Sequence, residues 1–210
     1  MSAIRRAVIS VEIYTDIKKS IFNGAWAPGE RIDRKSIADK YGTSQTPVND
    51  ALNRLTGEGI IESRSGDGFF VPDYDDASLA DLFTARAGLE SIAARLCAEE
   101  AGEAEKRELE GIFARFGDSV GLDEGEAYLA ADKRFHAAVL RISGSQRLNE
   151  VEASFGHIFR SYEHGLVRSP AETLPEHRVI VDAILSGSGK DAQIAMADHL
   201  LATRLTLFHT

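Results

Sequence analysis

The chain has 210 residues, 43% hydrophobic and 27% charged, with a formal net charge of −9. That is the composition of a globular protein with a sizeable core, and the length allows one large domain or two modest ones. No apolar run approaches the roughly 20 residues that span a bilayer, and the N-terminus lacks the apolar stretch and small-residue cleavage site of a signal peptide, so no membrane partner is expected.

One cysteine, Cys97, excludes an internal disulfide and fits a cytoplasmic location. In the apolar run "SIAARLCA" it is expected to be a buried, inert thiol. Charge is unevenly spread: residues 1–72 carry ten Lys/Arg against nine Asp/Glu, and the remainder 14 against 24. The asymmetry predicts two units with different partners, the first only weakly basic.

In chain order, the spacing of Val11, Tyr14, Ile17, Ile21 and Phe22 predicts a helix over 9–22. Gly24 suits its C-terminal cap and Pro28-Gly29 a turn. Asp33 is placed to cap a short helix through Lys40. "YGTSQTP" turns around Gly42, and Ser44 or Thr46 caps the next helix, with Pro47 near its first turn and Val48, Leu52 and Leu55 inward. "GEGIIESRSGDGFFVPD" alternates about a Gly-rich turn and predicts a β-hairpin. After a polar connection only helices are expected, at 78–101, 103–117, 123–142, 145–167, 170–186 and 189–208. The prediction is a mostly α protein: an N-terminal winged helix-turn-helix of three helices plus a β-hairpin over 1–73, a linker at 74–78, and an all-α helical bundle effector domain over 79–210.

Within that bundle the stretch "DKRFHAAVL" places Asp132 and His136 four residues apart, on one helical face. The pair is either a surface contact or two ligands of one metal. His177 and His199 follow, each on its own apolar-faced helix, and bundle cores build metal sites from such facing helices.

The run "GAWAPGERI…IADKYGTSQTPVNDALNRLTGEGIIESRSGDGFFV" resembles the DNA-binding domain of the GntR superfamily of bacterial transcription regulators. The likeness lies in the Pro-Gly turn, the Thr46-Pro47-Val48 helix start, the "ALNRL" core and "GEGII". The helical remainder resembles the FCD effector domain of the FadR-like subfamily, through "ARAGLE" (85–90), "DKRFHAAVL" (132–140), "EHRVIVDAI" (176–184) and "DHL" (198–200). Together the two resemblances cover nearly the whole chain. They imply a homodimeric, ligand-responsive regulator, a repressor, on double-stranded DNA with a palindromic operator.

The resemblance also implies a ligand set. Asp132, His136, His177 and His199 would hold a divalent transition metal. Imidazole with one carboxylate suits Zn or Ni, with Mn, Fe or Co also admissible. Positions left open on the metal would take a small carboxylate effector. Arg86 would clamp that acid with its planar fork; the alternative for Arg86 is a helix-face pair with Glu90. Ser145 stands where many relatives carry a ligand-contacting Asn, and His157 is a further cavity candidate. Arg134 and Arg160 are expected to be solvated.

The N-terminal residues of the second helix of a helix-turn-helix meet base edges in the major groove. Here these are Ser44, Gln45, Thr46 and Asn49. Relatives carry Arg at positions 45 and 49; Gln and Asn instead suit adenine. The resemblance therefore implies an A·T-rich operator or weaker binding. Phosphate-facing charge would come from Arg34, Lys35, Lys40, Arg54 and Arg64, with Arg64, Ser65 and Gly66 at the wing tip. The rival reading is a metal-dependent enzyme acting on small organic acids, since three His and an Asp around a metal can activate water. No motif places a general base for it, and a winged helix argues against it.

Overall fold

The computed structural model describes residues 3–22, 24–121, 123–162 and 165–208. The chain divides into two compact units: residues 1–74 with 154–156, and residues 75–153 with 157–210. Among the described residues no helix is long and apolar enough to cross a membrane.

The first unit holds α1 (Ala3–Phe22), β1 (Arg31–Ile32), α2 (Arg34–Lys40), α3 (Gln45–Gly57), β2 (Glu62–Arg64) and β3 (Gly68–Phe70). Asp33 caps α2, its side chain accepting from the Lys35 N–H. Buried Val48, Ala51, Leu52 and Leu55 give α3 one inward stripe, which packs against α1. Helix α1 starts six residues earlier than its periodicity indicated, and its buried row is Ile13, Ile17 and Ile21, while Val11 is 54% exposed. Two rows competed in that sequence; the unbroken i, i+4, i+8 row of isoleucines is the one that packs.

The wing is a three-stranded sheet in the order β1-β3-β2, antiparallel throughout, with Arg31 opposite Phe70 and Ile32 opposite Phe69. Strand β1 was not expected: two residues are too short to show alternation, and buried Ile32 pins the pairing. At the wing turn Gly66 and Gly68 adopt φ of +83° and +112°, a region that favours glycine.

The second unit is all helical: α4 (Asp76–Glu100), α5 (Glu103–Ile112), a 3-10 turn (Ala114–Phe116), α6 (Gly125–Ile142), α7 (Gln146–Phe155), α8 (His157–Arg160), α9 (Pro170–Leu185) and α10 (Gly189–Thr206). Helix α4 packs along α10 and against α6 and α9. Its buried Ala87, Ala93, Ala94 and Ala98 are small enough to let neighbouring helices come close. Cys97 is fully buried with Sγ 3.1 Å from the Val139 carbonyl, and burial pushes its thiol up to about 12, so it is inert.

Two expected helices are shorter than read. The helix over 103–117 stops at Ile112, because Phe113 and Phe116 both turn into the core and Gly117 takes φ +53°. The helix over 145–167 breaks at Gly156, φ +64°, into α7 and the single turn α8; a left-handed residue ends an α-helix. Arg160, expected in solvent, is buried at 8% exposure.

Candidate functional site

Helices α6, α9 and α10 each deliver one imidazole to a common point. His136, His177 and His199 are all buried, and each offers a ligand atom within 4.8 Å of the others. The supporting patterns are local. Asp132, Phe135, His136 and Val139 form the inward face of α6. A Ser169–Glu172 capping box with Pro170 at the first position starts α9, which then carries His177 inward with Leu174, Ile180 and Val181. His136 Nε2 lies 3.4 Å from His177 Nε2. Asp132 adjoins the trio, its Oδ1 3.3 Å from His136 Nε2 and 3.9 Å from His177 Nε2, and it also accepts from the Tyr162 hydroxyl.

Each ring is fixed through its other nitrogen. His136 Nδ1 meets Glu90 Oε2 at 2.5 Å, and His199 Nδ1 meets Glu176 Oε2 at 2.7 Å. His177 Nδ1 lies 3.0 Å from the Tyr128 hydroxyl, which is 2.7 Å from Thr173 Oγ1. A neutral ring with Nδ1 protonated toward its partner would keep a lone pair on Nε2, the tautomer a metal ligand needs. Sequence reasoning missed these orienting residues. The signal lies in Glu176 directly before His177, and in Glu90, whose helix spacing marks it only as a partner of Arg86.

The three imidazoles respond differently to burial and charge. Burial opposes charge on all three imidazoles, and it lowers His177 and His199, the former further through its neighbours' positive charge. Burial also opposes charge on His136, but Glu90 and Asp132 outweigh it and His136 is raised. Burial would likewise raise Asp132, yet His177 and His136 hold its carboxyl well below the usual range. The cluster thus disfavours charge on His177 and His199 and favours it on His136. Bonds of about 2.0–2.2 Å to a metal place neighbouring ligand atoms roughly 3–3.5 Å apart; the 3.3 and 3.4 Å contacts match, while the 3.9 Å Asp132–His177 separation is wider.

Beside the cluster lies a small cavity of about 20 Å³, room for about one water. Arg86, Asp132, Tyr162, Arg168, Thr173 and His199 are among its lining residues. The Glu90 pairing expected as the alternative for Arg86 is present, at 2.6 Å, but the pair is buried, 1% exposed on each side, and the guanidinium also donates to Ser161 Oγ at 2.8 Å. Ser145 sits at the start of α7, where its Oγ accepts from the Leu148 N–H, and it is not among the residues lining the cavity. The side chain of His157 lies outside the described residues.

In the first unit, a cleft of about 200 Å³ gathers Arg34, Lys35 and Gln45 of the expected DNA-contacting set, and adds Arg31 and Gly68. Arg31 was missed because strand β1 was missed. Ser44, Gln45 and Thr46 are exposed at the start of α3. Asn49 is half-buried, and its Oδ1 is sealed from solvent without a hydrogen-bond partner; reading a base would require the side chain to turn outward. Arg64 lies over the Phe70 ring and pairs with Glu62 at 2.5 Å, with Ser65 and Gly66 exposed beside it.

Comparison with known proteins gives two family matches. The family described as "Bacterial regulatory proteins, gntR family" matches residues 9–71, and "FCD domain" matches residues 81–202. An HTH-type transcriptional regulator in an unstable DNA locus of Streptomyces ambofaciens is 31% identical over 195 residues, 91% of this chain and 81% of that protein. The HTH-type transcriptional repressor RspR of Escherichia coli is 23% identical over 197 residues, covering 91% and 86%. Among solved structures, E. coli McbR/YncC superposes with a TM-score of 0.71 at 21% identity, covering 95% of this chain and 97% of that one; at that identity the likeness speaks to fold.

Proposed function

Because the chain belongs to the gntR family of bacterial regulatory proteins and carries an FCD domain, we propose that it is a transcriptional repressor whose hold on DNA answers to a small carboxylate bound beside a metal in the helical unit. The family's members are DNA-binding transcription regulators, not enzymes, which sets aside a hydrolytic role for the histidines. The observation that carries the finer reading is the convergence of His136, His177 and His199 on one buried point, next to a cavity on which Arg86 opens.

His136, His177 and His199 would hold the ion with Asp132, and the imidazole-rich donor set suits Zn or Ni. The metal would supply a Lewis-acidic anchor for one acid oxygen. Arg86 would orient the acid, using guanidinium N–H groups left over from Glu90 and Ser161. Tyr162 holds Asp132 by donating its hydroxyl proton to that carboxylate. The cavity has room for about one water, so an acid would enter fully once its wall moves, and Leu166, Val167 and Arg168, between α8 and α9, supply part of that wall. An acid that binds only the opened arrangement shifts the population toward it. In the first unit, Gln45 would read a base edge while Arg31, Arg34 and Lys35 hold phosphates, as a homodimer on a palindromic operator.

The test is binding of the purified protein to DNA upstream of its own gene, at fixed salt, before and after chelation and with a panel of small carboxylic acids. Specific binding that one acid relieves only when the protein is metal-loaded supports the reading. Specific binding indifferent to chelator and to every acid would remove the metal and effector parts of it.

A further inference from the structure

Two relays of the same chemical order run from the cavity wall to the histidine cluster. In the first, Arg86 Nε donates to Glu90 Oε1 at 2.6 Å, and Glu90 Oε2 accepts from His136 Nδ1 at 2.5 Å. In the second, Arg168 forks onto Glu176, NH1 to Oε2 at 2.8 Å and NH2 to Oε1 at 2.7 Å, and the same Oε2 accepts from His199 Nδ1 at 2.7 Å. The relays come from different helices. Both arginines line the one cavity, and both histidines belong to the one cluster. Each carboxylate is therefore shared between a guanidinium on the cavity wall and an imidazole of the cluster.

We propose that these two Arg–Glu–His relays couple the sites: Glu90 and Glu176 are positioning residues for the metal, an acid taken up by Arg86 and Arg168 tightens metal binding, and the metal tightens the acid. The protein then answers to metal and acid together rather than to either alone. This rests on the metal-and-acid reading above and extends it to regulation. The physical reason is a divided carboxylate. A guanidinium draws electron density from the Glu oxygens, so they polarise the Nδ1–H less and Nε2 becomes a weaker donor to a cation; its positive charge also opposes a second cation nearby. An acid bound to the arginine offsets that charge and returns the carboxylate to the imidazole. Coupling of binding free energies is reciprocal, so the gain appears at both sites.

Opposite signs make the test. Zn²⁺ affinity of the full-length protein is measured by competition with a chromophoric chelator, with Zn²⁺ as the sole ligand. Glu90→Gln and Glu176→Gln are expected to weaken binding by about 10–100-fold. Arg86→Gln and Arg168→Gln are expected to tighten it, on the order of tenfold, by removing a nearby positive charge. Arginines that merely hold the fold together would weaken binding when removed, as the glutamates do. If Arg86→Gln does not fold, Arg168→Gln carries the test, since its partner Glu176 is 32% exposed and survives the loss of its cation more readily. Wild-type protein that binds no Zn²⁺ overturns the metal reading and the coupling with it. Wild-type protein that binds Zn²⁺ while both arginine variants bind equally or less tightly overturns the coupling alone.

Discussion

His136 Nε2 and His177 Nε2 stand 3.4 Å apart with both rings wholly buried. Glu90 and Tyr128 engage their Nδ1 atoms, which leaves the two Nε2 atoms facing each other, and a cation between them would be held by both once the rings are neutral. Metal removal should therefore show in stability. Loading at 100 times Kd contributes about 2.7 kcal/mol, and 1 kcal/mol moves the midpoint of a chain of this size by about 2–4 °C. Chelation is expected to lower the melting temperature of the helical unit by roughly 5–10 °C, and His136→Ala to abolish that sensitivity. Calorimetric scans of both proteins with and without chelator check this; superimposable wild-type scans would count against a bound metal.

How much of this was legible beforehand differs by feature. Helix α3 and the α6 segment around His136 were readable because their apolar rows fit one period without a rival. Helix α1 offered two rows, and only packing chose the isoleucines. Strand β1 is two residues long and has no periodicity to detect. The breaks at Phe113 and Gly156 depend on what the chain packs against, which a single helix pattern does not record. At the site, sequence spacing placed Asp132 beside His136, as found, yet the residues that turn the rings, Glu90, Tyr128 and Glu176, sit on other helices or beside another histidine of the cluster. Their role exists only once α4, α6, α9 and α10 are assembled.

Phe113 is the clearest case of such a hidden contribution. Its ring stacks on His177, centroids 4.6 Å apart and planes 11° apart, and it is 4% exposed. Phe113→Ala is expected to cost about 3–5 kcal/mol through the lost burial and the cavity it leaves, and to weaken Zn²⁺ binding by freeing the His177 ring. Phe113→Leu fills most of the space and should lose less of both. Urea unfolding and a Zn²⁺ titration on the two variants measure this; an alanine variant with unchanged Zn²⁺ affinity would show that Tyr128 alone orients His177.

Glu58 in the first unit should carry a pH signature. It accepts from the Tyr14 hydroxyl at 2.7 Å and pairs with Lys18 at 3.0 Å and Arg54 at 3.3 Å. Burial alone would raise its pKa, but the Tyr14 and Lys18 hydrogen bonds and the Lys18 charge outweigh it, and the carboxyl is held below its ordinary value. A depressed folded-state pKa means a contribution fully present above the unfolded value, about 4.3, and lost as pH falls through the folded one. Glu58→Gln is expected to be less stable by about 1–2 kcal/mol at pH 7. The gap should close as pH is lowered from about 5 toward 3. Denaturant melts of both proteins at several pH values decide it, and a gap that widens in acid would contradict the assignment.

On the proposed function, the cleft that joins Arg31, Arg34 and Lys35 to Gln45 would bring together two kinds of DNA contact. Phosphate contacts contribute to the salt dependence of binding and treat sequences alike, whereas a base contact sets preference. Arg31→Ala and Lys35→Ala should each reduce the slope of log K against log salt by about 1 and weaken binding to all sequences about equally. Gln45→Ala should leave the slope unchanged and erase about 1–3 kcal/mol of discrimination at one base pair. The comparison needs titrations of an upstream fragment, point-substituted operators and random DNA across a salt series. If Gln45→Ala alters the slope but not the preference, α3 meets the backbone rather than the bases, and the wing around Arg64 becomes the part of this unit that selects the site.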